Sequence, residues 1–306
     1  MKDLIIIGAG PAGLTAAIYG IRSGLDLAVI EKLSPGGQVM NTYEVENYPG
    51  FEEPIAGWEL MSRMEAQARR LGAEIVGGDV ASVARDAATG IFTVKMGDNS
   101  VMEARTVIAA SGASYRRLGV PGEEQYLGHG VSFCATCDGA FYKERVCAVV
   151  GGGDTALEEA HFLTRFARKV YLIHRRDKFR GVKILQDRIM ASDKIELVLD
   201  SVVESISGTT KVERIAVKNV KTGIRSTLAV DGFFIFIGFT ANTGYLPDEI
   251  LDGNRDVKAD INMRTAIPGL FAAGDLRTGS RRQIVMAAAE GATAALEAYE
   301  YILDLT

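Results

Sequence analysis

The chain has 306 residues, 47% of them hydrophobic and 24% charged, with a formal net charge of −5 and a pI near 5.4. That length allows two domains, since single cores stop growing at roughly 250–300 residues. The composition excludes disorder, and the acidic balance leaves no electrostatic footprint for nucleic acid. No apolar run approaches the ~18 residues of a membrane span. The longest, FFIFIGF at 233–239, reads as a buried strand. The chain passes from Met1 straight into DLIIIGAG without a basic segment or a cleavable stretch, so a cytoplasmic location is expected. In that compartment a C-x-x-C points to redox or metal chemistry rather than a lasting structural bridge.

The first element pattern is LIIIGAGPAG at 4–13. A β-branched run leads into Gly8-x-Gly10-x-x-Gly13, with Pro11 and Ala12 between the last two glycines. An apolar-periodic segment and a second strand, DLAVIEK, follow. Strand, tight turn, helix and strand within about 30 residues, with Glu31 closing the second strand, form a dinucleotide-binding fingerprint. Gly8 permits the turn, Gly10 lets backbone approach a pyrophosphate, and Gly13 lets the helix pack against the strand. The helix N-terminus offers N–H groups to the phosphates, and Glu31 can accept from ribose hydroxyls.

The pattern recurs at 146–176, VCAVVGGGDTALEEAHFLTRFARKVYLIHRR. Here the turn is Gly151-x-Gly153-Asp154-Thr155-Ala156, with Ala in place of the third Gly. A helix is expected from about Thr155 to Arg168, then a strand, KVYLIHR. Glu31 lies 23 residues after Gly8; the matching position after Gly151 is His174, followed by Arg175 and Arg176, with Arg180 close by. A carboxylate there suits a ribose 2′-hydroxyl, whereas guanidinium forks pair with a 2′-phosphate. A solvated basic face is the alternative reading of these arginines. The register with the first motif favours FAD at the acidic site and NADPH at the basic one.

A third segment, INMRTAIPGLFAAGDLRTGSRRQ at 261–283, carries a strand ending in Gly274-Asp275 and precedes a long Ala-rich helix. Asp275 can bond flavin ribityl hydroxyls, or it can be an ordinary loop residue before a helix. The helix start near Gln283 would place a positive dipole end at the reduced flavin. If this segment completes the first site, the fold class is α/β, with two Rossmann-like domains, the second inserted into the first. The FAD-binding domain would be discontinuous, 1–115 and 246–306, and the NADPH-binding domain 116–245. The crossings, SYRRLGVPG and GFTANTGYLP, are rich in Gly, Pro and polar residues and suit a hinge.

Two of the three cysteines form Cys134-Ala135-Thr136-Cys137. Zinc would need four ligands, and the chain has a single C-x-x-C and three His. The third cysteine, Cys147, sits in an apolar strand as a small buried hydrophobe. Haem attachment needs a His where Asp138 stands. A redox pair that opens and closes by thiolate exchange fits best. Asp138 can carry the accompanying proton, or can simply form a turn with Gly139.

Taken together, GAGPAG, GGQ…EVENYPGF, SFCATCDG, GGGDTA, HRRDKFR and AAGDLR…RQ, in this order, resemble the low-molecular-weight thioredoxin reductases of the bacterial type. The resemblance spans nearly the whole chain. It implies a cytoplasmic homodimer that passes hydride from NADPH to FAD, then to the Cys134–Cys137 disulfide, then to oxidised thioredoxin. It implies that Cys137 faces the flavin, that Cys134 attacks thioredoxin and that Asp138 is the general acid/base. It adds Gln38, Asn47, Gly112, Asp275, Arg282 and Gln283 to the FAD site. Two features depart mildly from the family: Ser111-Gly112-Ala113, where Thr-Gly-Ala is common, and Ala140 after the dithiol, where bulkier residues are common. Rival readings are a reductase serving another dithiol or peroxide-reducing protein, and a nucleotide sensor in which CATCDG has no role.

Overall fold

The computed structural model of the chain describes residues 1–42 and 44–305. β1 (Lys2–Ile7) leads through the glycine turn into α1 (Pro11–Arg22) and β2 (Leu27–Glu31), then α2 (Gly57–Arg70) and β3 (Glu74–Gly77). A meander follows, β4 (Val80–Arg85), β5 (Phe92–Met96) and β6 (Val101–Ala109), and then the short β7 (Ala113–Tyr115). The middle of the chain forms β8 (Val131–Ser132), α3 (Ala135–Asp138), β9 (Val146–Gly151), α4 (Asp154–Leu163), β10 (Lys169–Ile173), α5 (Lys183–Met190) and β11 (Ile195–Val198). After it come β12 (Ser201–Gly208), β13 (Val212–Asn219), β14 (Arg225–Ala229), β15 (Gly232–Phe236) and β16 (Phe239–Ala241). β17 (Leu270–Ala272) and α6 (Ile284–Leu303) close the chain.

Two compact units result: Met1–Ser114 with Thr240–Thr306, and Tyr115–Phe239. The return expected at 246 comes earlier, at Thr240. The cause is a set of polar ties to the other end of the first unit. Asn242 Nδ2 donates to the Ser111 carbonyl at 2.9 Å, and the Tyr245 hydroxyl meets Ser111 Oγ at 2.9 Å.

In the first unit the sheet order is β3-β2-β1-β6-β5-β4, with β17 also on β6. β1, β2, β3, β6 and β17 run parallel, and the β4–β5–β6 meander is antiparallel. β1 is buried on both faces, as a central parallel strand must be. Leu4 and Ile6 enter one core, Ile5 and Ile7 the other. The second unit repeats the plan with order β11-β10-β9-β15-β8, all parallel, beside an antiparallel β12-β13-β14 sheet. Here Ala148 and Val150 enter one core, Cys147 and Val149 the other. Cys147 is a free, fully buried thiol, its pKa pushed up to about 12 chiefly by burial.

α4, the helix of the second glycine motif, stops at Leu163 rather than running to Arg168. Thr164 Oγ1 donates back to the His161 carbonyl at 2.6 Å, and Lys194 Nζ donates to the Thr164 and Ala167 carbonyls at 2.8 and 3.2 Å. These donors satisfy carbonyls that a longer helix would have bonded internally. The following strand ends at Ile173, two residues short of the expected Arg175.

Helix contact in the first unit is made without side chains. A Cβ on Gly291 of α6 would sit 2.0 Å from the Ala12 carbonyl oxygen of α1. Ala287, Ala288, Ala294, Ala295 and Ala298 continue the buried face of α6. Backbone cannot yield as a flexible side chain does, so Gly291→Val should cost about 2–3 kcal/mol by overpacking. Calorimetry should show the unfolding midpoint of this unit lowered by about 5 °C or more; an unchanged midpoint would contradict the contact.

Candidate active site

The first glycine turn is shaped by backbone contact. Gly8 has φ 106, and a Cβ there would lie 2.4 Å from the Ala110 oxygen; one on Gly13 would lie 1.8 Å from the Gly8 oxygen. Only glycine meets both conditions. Gly10 differs, because a Cβ there would meet nothing within 4 Å. Internal packing therefore does not require glycine at that position, which stays bare toward the outside. Gly10 is also the N-cap of α1 and has no side chain to cap it, with Pro11 at the first turn. The first-turn N–H groups thus lack an N-cap side-chain acceptor beside an open surface, which is the arrangement that binds phosphates.

Glu31 is tied to this turn. Its Oε2 accepts from Ala9 N–H at 2.7 Å and its Oε1 from Leu33 N–H at 3.0 Å. The carboxylate is thereby fixed in direction, with lone pairs left for further donors. The Gly36-Gly37-Gln38 segment hooks on through Gly36 N–H to the Ala9 carbonyl at 2.8 Å, leaving Gln38 exposed. Gly112 has φ 65 and open space where a Cβ would be. Asn47 and Gln283, 236 residues apart, meet through Asn47 Nδ2 to Gln283 Oε1 at 3.1 Å. Gln283 is the N-cap of α6 and does not cap it with its side chain. Gly274 has φ 88 and packs near Ala12. Burial pushes the Asp275 carboxyl above the ordinary range, partly offset by the Arg282 charge and a Ser280 hydroxyl at 3.4 Å.

Two polar residues of this unit could not be singled out from the sequence. Glu290 on α6 accepts from Gly274 N–H at 2.7 Å and pairs with Arg277 at 2.8 Å, both side chains largely buried. They hold the loop that presents Asp275. In the sequence they look like ordinary helix and loop charges.

The second unit builds the same turn with different side chains. A Cβ on Gly151 would meet the Phe236 oxygen at 2.4 Å and the Ala156 Cβ at 2.5 Å, while Gly153, the uncapped N-cap of α4, again faces open space. His174 does not stand in solvent. Its ring fills the space beside Gly152, where a Cβ would lie 2.2 Å from Cε1. Its Nε2 is 3.1 Å from the Lys178 carbonyl. Burial pushes its imidazole below the ordinary range, so it is neutral near pH 7. Positive charge at this strand end therefore comes from Arg175, Arg176 and Arg180, all exposed. The Arg180 and Gly181 N–H groups both donate to the Gly152 carbonyl, at 2.7 and 3.2 Å, and Asp154 Oδ1 accepts from Val182 N–H at 2.7 Å. The basic loop is thus fastened over the start of α4, beside exposed Thr155 and buried Ala156.

The dithiol belongs to the same unit. Cys134 and Cys137 are joined as a disulfide, their α-carbons 5.3 Å apart. Cys134 is the N-cap of α3, and its Sγ accepts from Cys137 N–H at 3.2 Å. Ser132 Oγ accepts from Cys134 N–H at 3.0 Å. Glu159, from α4, accepts from Ala135 N–H at 3.0 Å and from the Thr136 hydroxyl at 3.3 Å. Asp138 closes the helix. Burial pushes its carboxyl above the ordinary range, with the Ser132 hydroxyl a smaller opposing influence, and its Oδ1 is buried without a partner. Sequence reasoning missed Glu159 and Ser132; the available signal was a Ser two residues before the first Cys, a spacing that suits a local hydroxyl–backbone bond.

Known proteins resemble the chain along its length. The family described as pyridine nucleotide-disulphide oxidoreductase matches residues 2–291. A thioredoxin reductase of Listeria monocytogenes is 46% identical over 305 residues, 99% of this chain and 94% of that protein. One of Streptomyces coelicolor is 45% identical over 309 residues, 100% and 95% of the two chains. The crystal structure of thioredoxin reductase from Streptococcus pyogenes superposes with a TM-score of 0.94 at 47% identity, covering 99% of each chain. With two glycine cradles, a closed C-x-x-C and this likeness along its full length, the chain belongs to the pyridine nucleotide-disulphide oxidoreductase family, among the thioredoxin reductases of low molecular weight.

Proposed function

We propose that the protein is an NADPH-dependent thioredoxin reductase, and that the closed Cys134–Cys137 pair at the start of α3 is its redox centre. The observation that carries this is the dithiol turn held in the same unit as a basic dinucleotide cradle. The cradles fit the two cofactors. Gly10 and Gly153 are open where a pyrophosphate would approach, and both helix starts lack a side-chain cap. FAD would be held in the first unit by Gly8, Gly10, Pro11, Ala12, Gly13, Glu31, Gln38, the Asn47–Gln283 pair, Gly112, Gly274, Asp275 and Arg282. NADPH would be held in the second by Gly151, Gly153, Asp154, Thr155 and Ala156, with Arg175, Arg176 and Arg180 on the 2′-phosphate and His174 shaping the turn beneath them. When bound, the two cofactors supply the two-electron hydride chemistry that opens the disulfide.

The chain's own residues do the rest. Opening the disulfide takes two electrons and two protons and yields two thiols. The Cys137 N–H that reaches Cys134 Sγ would stabilise a thiolate there, which supports Cys134 as the outward nucleophile. Its thiolate attacks one sulfur of a partner disulfide, forming a mixed disulfide and releasing a partner thiolate. The Cys137 thiolate then attacks Cys134 Sγ, re-forms the internal bond and releases the second partner thiolate. Asp138, largely buried and kept protonated to higher pH than an ordinary carboxyl, donates a proton to a departing thiolate. A cytoplasmic location and a homodimer complete the reading. Exposed Tyr19 on α1 and Val285, Met286 and Leu296 on α6 supply apolar surface for a second copy.

The deciding experiment monitors NADPH oxidation by the flavin-loaded protein with oxidised thioredoxin. Thioredoxin-dependent turnover that is abolished in Cys134→Ser is expected; flavin reduction that thioredoxin fails to accelerate would move the assignment to another disulfide partner. Alanine at Arg175 or Arg176 should raise KM for NADPH about tenfold or more while leaving KM for NADH unchanged, since a charge-assisted bond contributes roughly 1.5–3 kcal/mol. Equal effects on the two nucleotides would remove the 2′-phosphate role. Turnover should fall as pH rises through the Asp138 titration, because only the protonated carboxyl donates. Asp138→Asn should lower turnover by about a hundredfold and flatten that limb, as a pH–rate profile would show.

A further inference from the structure

Among the partly buried ionisable groups, Glu159 is one that the proposed chemistry does not use and that touches the dithiol turn. It sits on α4, and both of its carboxylate oxygens are engaged by α3, with Ala135 N–H at 3.0 Å and the Thr136 hydroxyl at 3.3 Å. Ala135 and Thr136 are the two residues between the cysteines. An arginine or lysine partner for this carboxylate is absent among the described residues' ion pairs. Its charge is therefore held by uncharged donors of Ala135 and Thr136, which belong to the dithiol helix itself.

That position has an electrostatic consequence. The N–H groups at the start of α3 are what would stabilise a Cys134 thiolate. A carboxylate placed on the first of them uses that donor and brings negative charge within a few bonds of Cys134. Two negative charges so close disfavour each other. When the pair is reduced, the charge on Glu159 opposes formation of the Cys134 thiolate. Destabilising the ionised dithiol favours the disulfide, so the reduced pair gives up its electrons more readily.

We propose that Glu159 is the positioning residue of the dithiol: it clamps the turn between the cysteines through Ala135 and Thr136, and its charge makes the reduced pair a stronger donor. The inference rests on the dithiol being redox-active and is independent of which protein receives the electrons.

The surroundings agree. Burial pushes the Glu159 carboxyl up, the bonds from Ala135 and Thr136 pull it back, and neighbouring Glu158 raises it. The elements packed against α4 carry the other ionisable groups: Cys137 and Asp138 on α3 with Cys134 as its N-cap, Cys147 on β9, Lys169 and Tyr171 on β10, and Lys183, Asp187 and Arg188 on α5. Asp138 is the nearest of these in sequence to the dithiol, and burial disfavours its charge. Glu159 is thus the carboxylate bonded directly to the turn.

The test reads the thiol directly. The full-length, flavin-loaded protein is reduced with dithiothreitol, desalted without oxygen, and alkylated with iodoacetamide between pH 6 and 10. Mass spectrometry follows modification of Cys134. Glu159→Gln keeps the shape and an acceptor but removes the charge. It should move the midpoint of the profile to lower pH, so that Cys134 reacts at least threefold faster at pH 7, with the two profiles converging toward pH 10. Glu159→Asp keeps the charge and should return toward the original midpoint. If the Gln variant does not fold, Glu159→Ala takes its place in the same comparison. An unshifted or raised midpoint without the charge, or equal shifts in the charged and uncharged variants, would overturn the proposal. Neither nucleotide nor thioredoxin enters the assay, so a wrong partner assignment would not affect it.

Discussion

The contact on which the rest of the first unit depends is the one between Gly13 and the carbonyl of Gly8. With only hydrogens between them, α1 starts almost against the end of β1. That closeness leaves the N–H groups of the first helical turn at the strand end, facing outward. A side chain of any size would lift the helix away from the sheet. The second unit obtains the same closeness with Gly151 and Ala156, whose methyl group lies 2.5 Å from where a Gly151 Cβ would be. Both open, uncapped helix starts are therefore products of helix-to-strand packing rather than of charged side chains.

The two units diverge at the end of their second strand. In the first, Glu31 uses one oxygen to hold Ala9 and so braces the glycine turn with the group that also gives the site its acidic sign. In the second, the equivalent place is taken by a buried, neutral His174 that fills the hollow beside Gly152. The bracing and the charge are separated there, the ring doing the first and the exposed arginines after it the second. One fold thus carries acidic and basic versions of a site by changing the residues just past the strand, while the glycine geometry stays the same.

A comparable economy is seen around the cysteines. A helix of four residues has little stability of its own. α3 persists because the N–H groups of Ala135 and Cys137, and of the N-cap Cys134 before them, find acceptors in Glu159, Cys134 Sγ and Ser132 Oγ. Two of these three acceptors sit within a few residues in the chain, and the third comes from α4. The dithiol turn is therefore fastened to α4, the helix that begins at the second glycine turn of the same unit.

The sequence by itself determined the class of fold, both glycine turns, the dithiol and the opposite charges at the two strand ends. These depend on local spacing: β-branched runs, glycines at fixed intervals, and residues at matched distances from them. Helix and strand limits were less legible. α4 ends at Leu163 because of Lys194, and the first unit resumes at Thr240 because of Ser111, Asn242 and Tyr245. Only the tertiary structure decided which polar groups are occupied in holding the turns: Glu31 on Ala9, His174 against Gly152, Asn47 on Gln283 across 236 residues, and Glu159 on the cysteine helix. A buried donor or acceptor must find a partner wherever the packed chain brings one near, and neither the spacing nor the identity of a residue states which distant segment that will be.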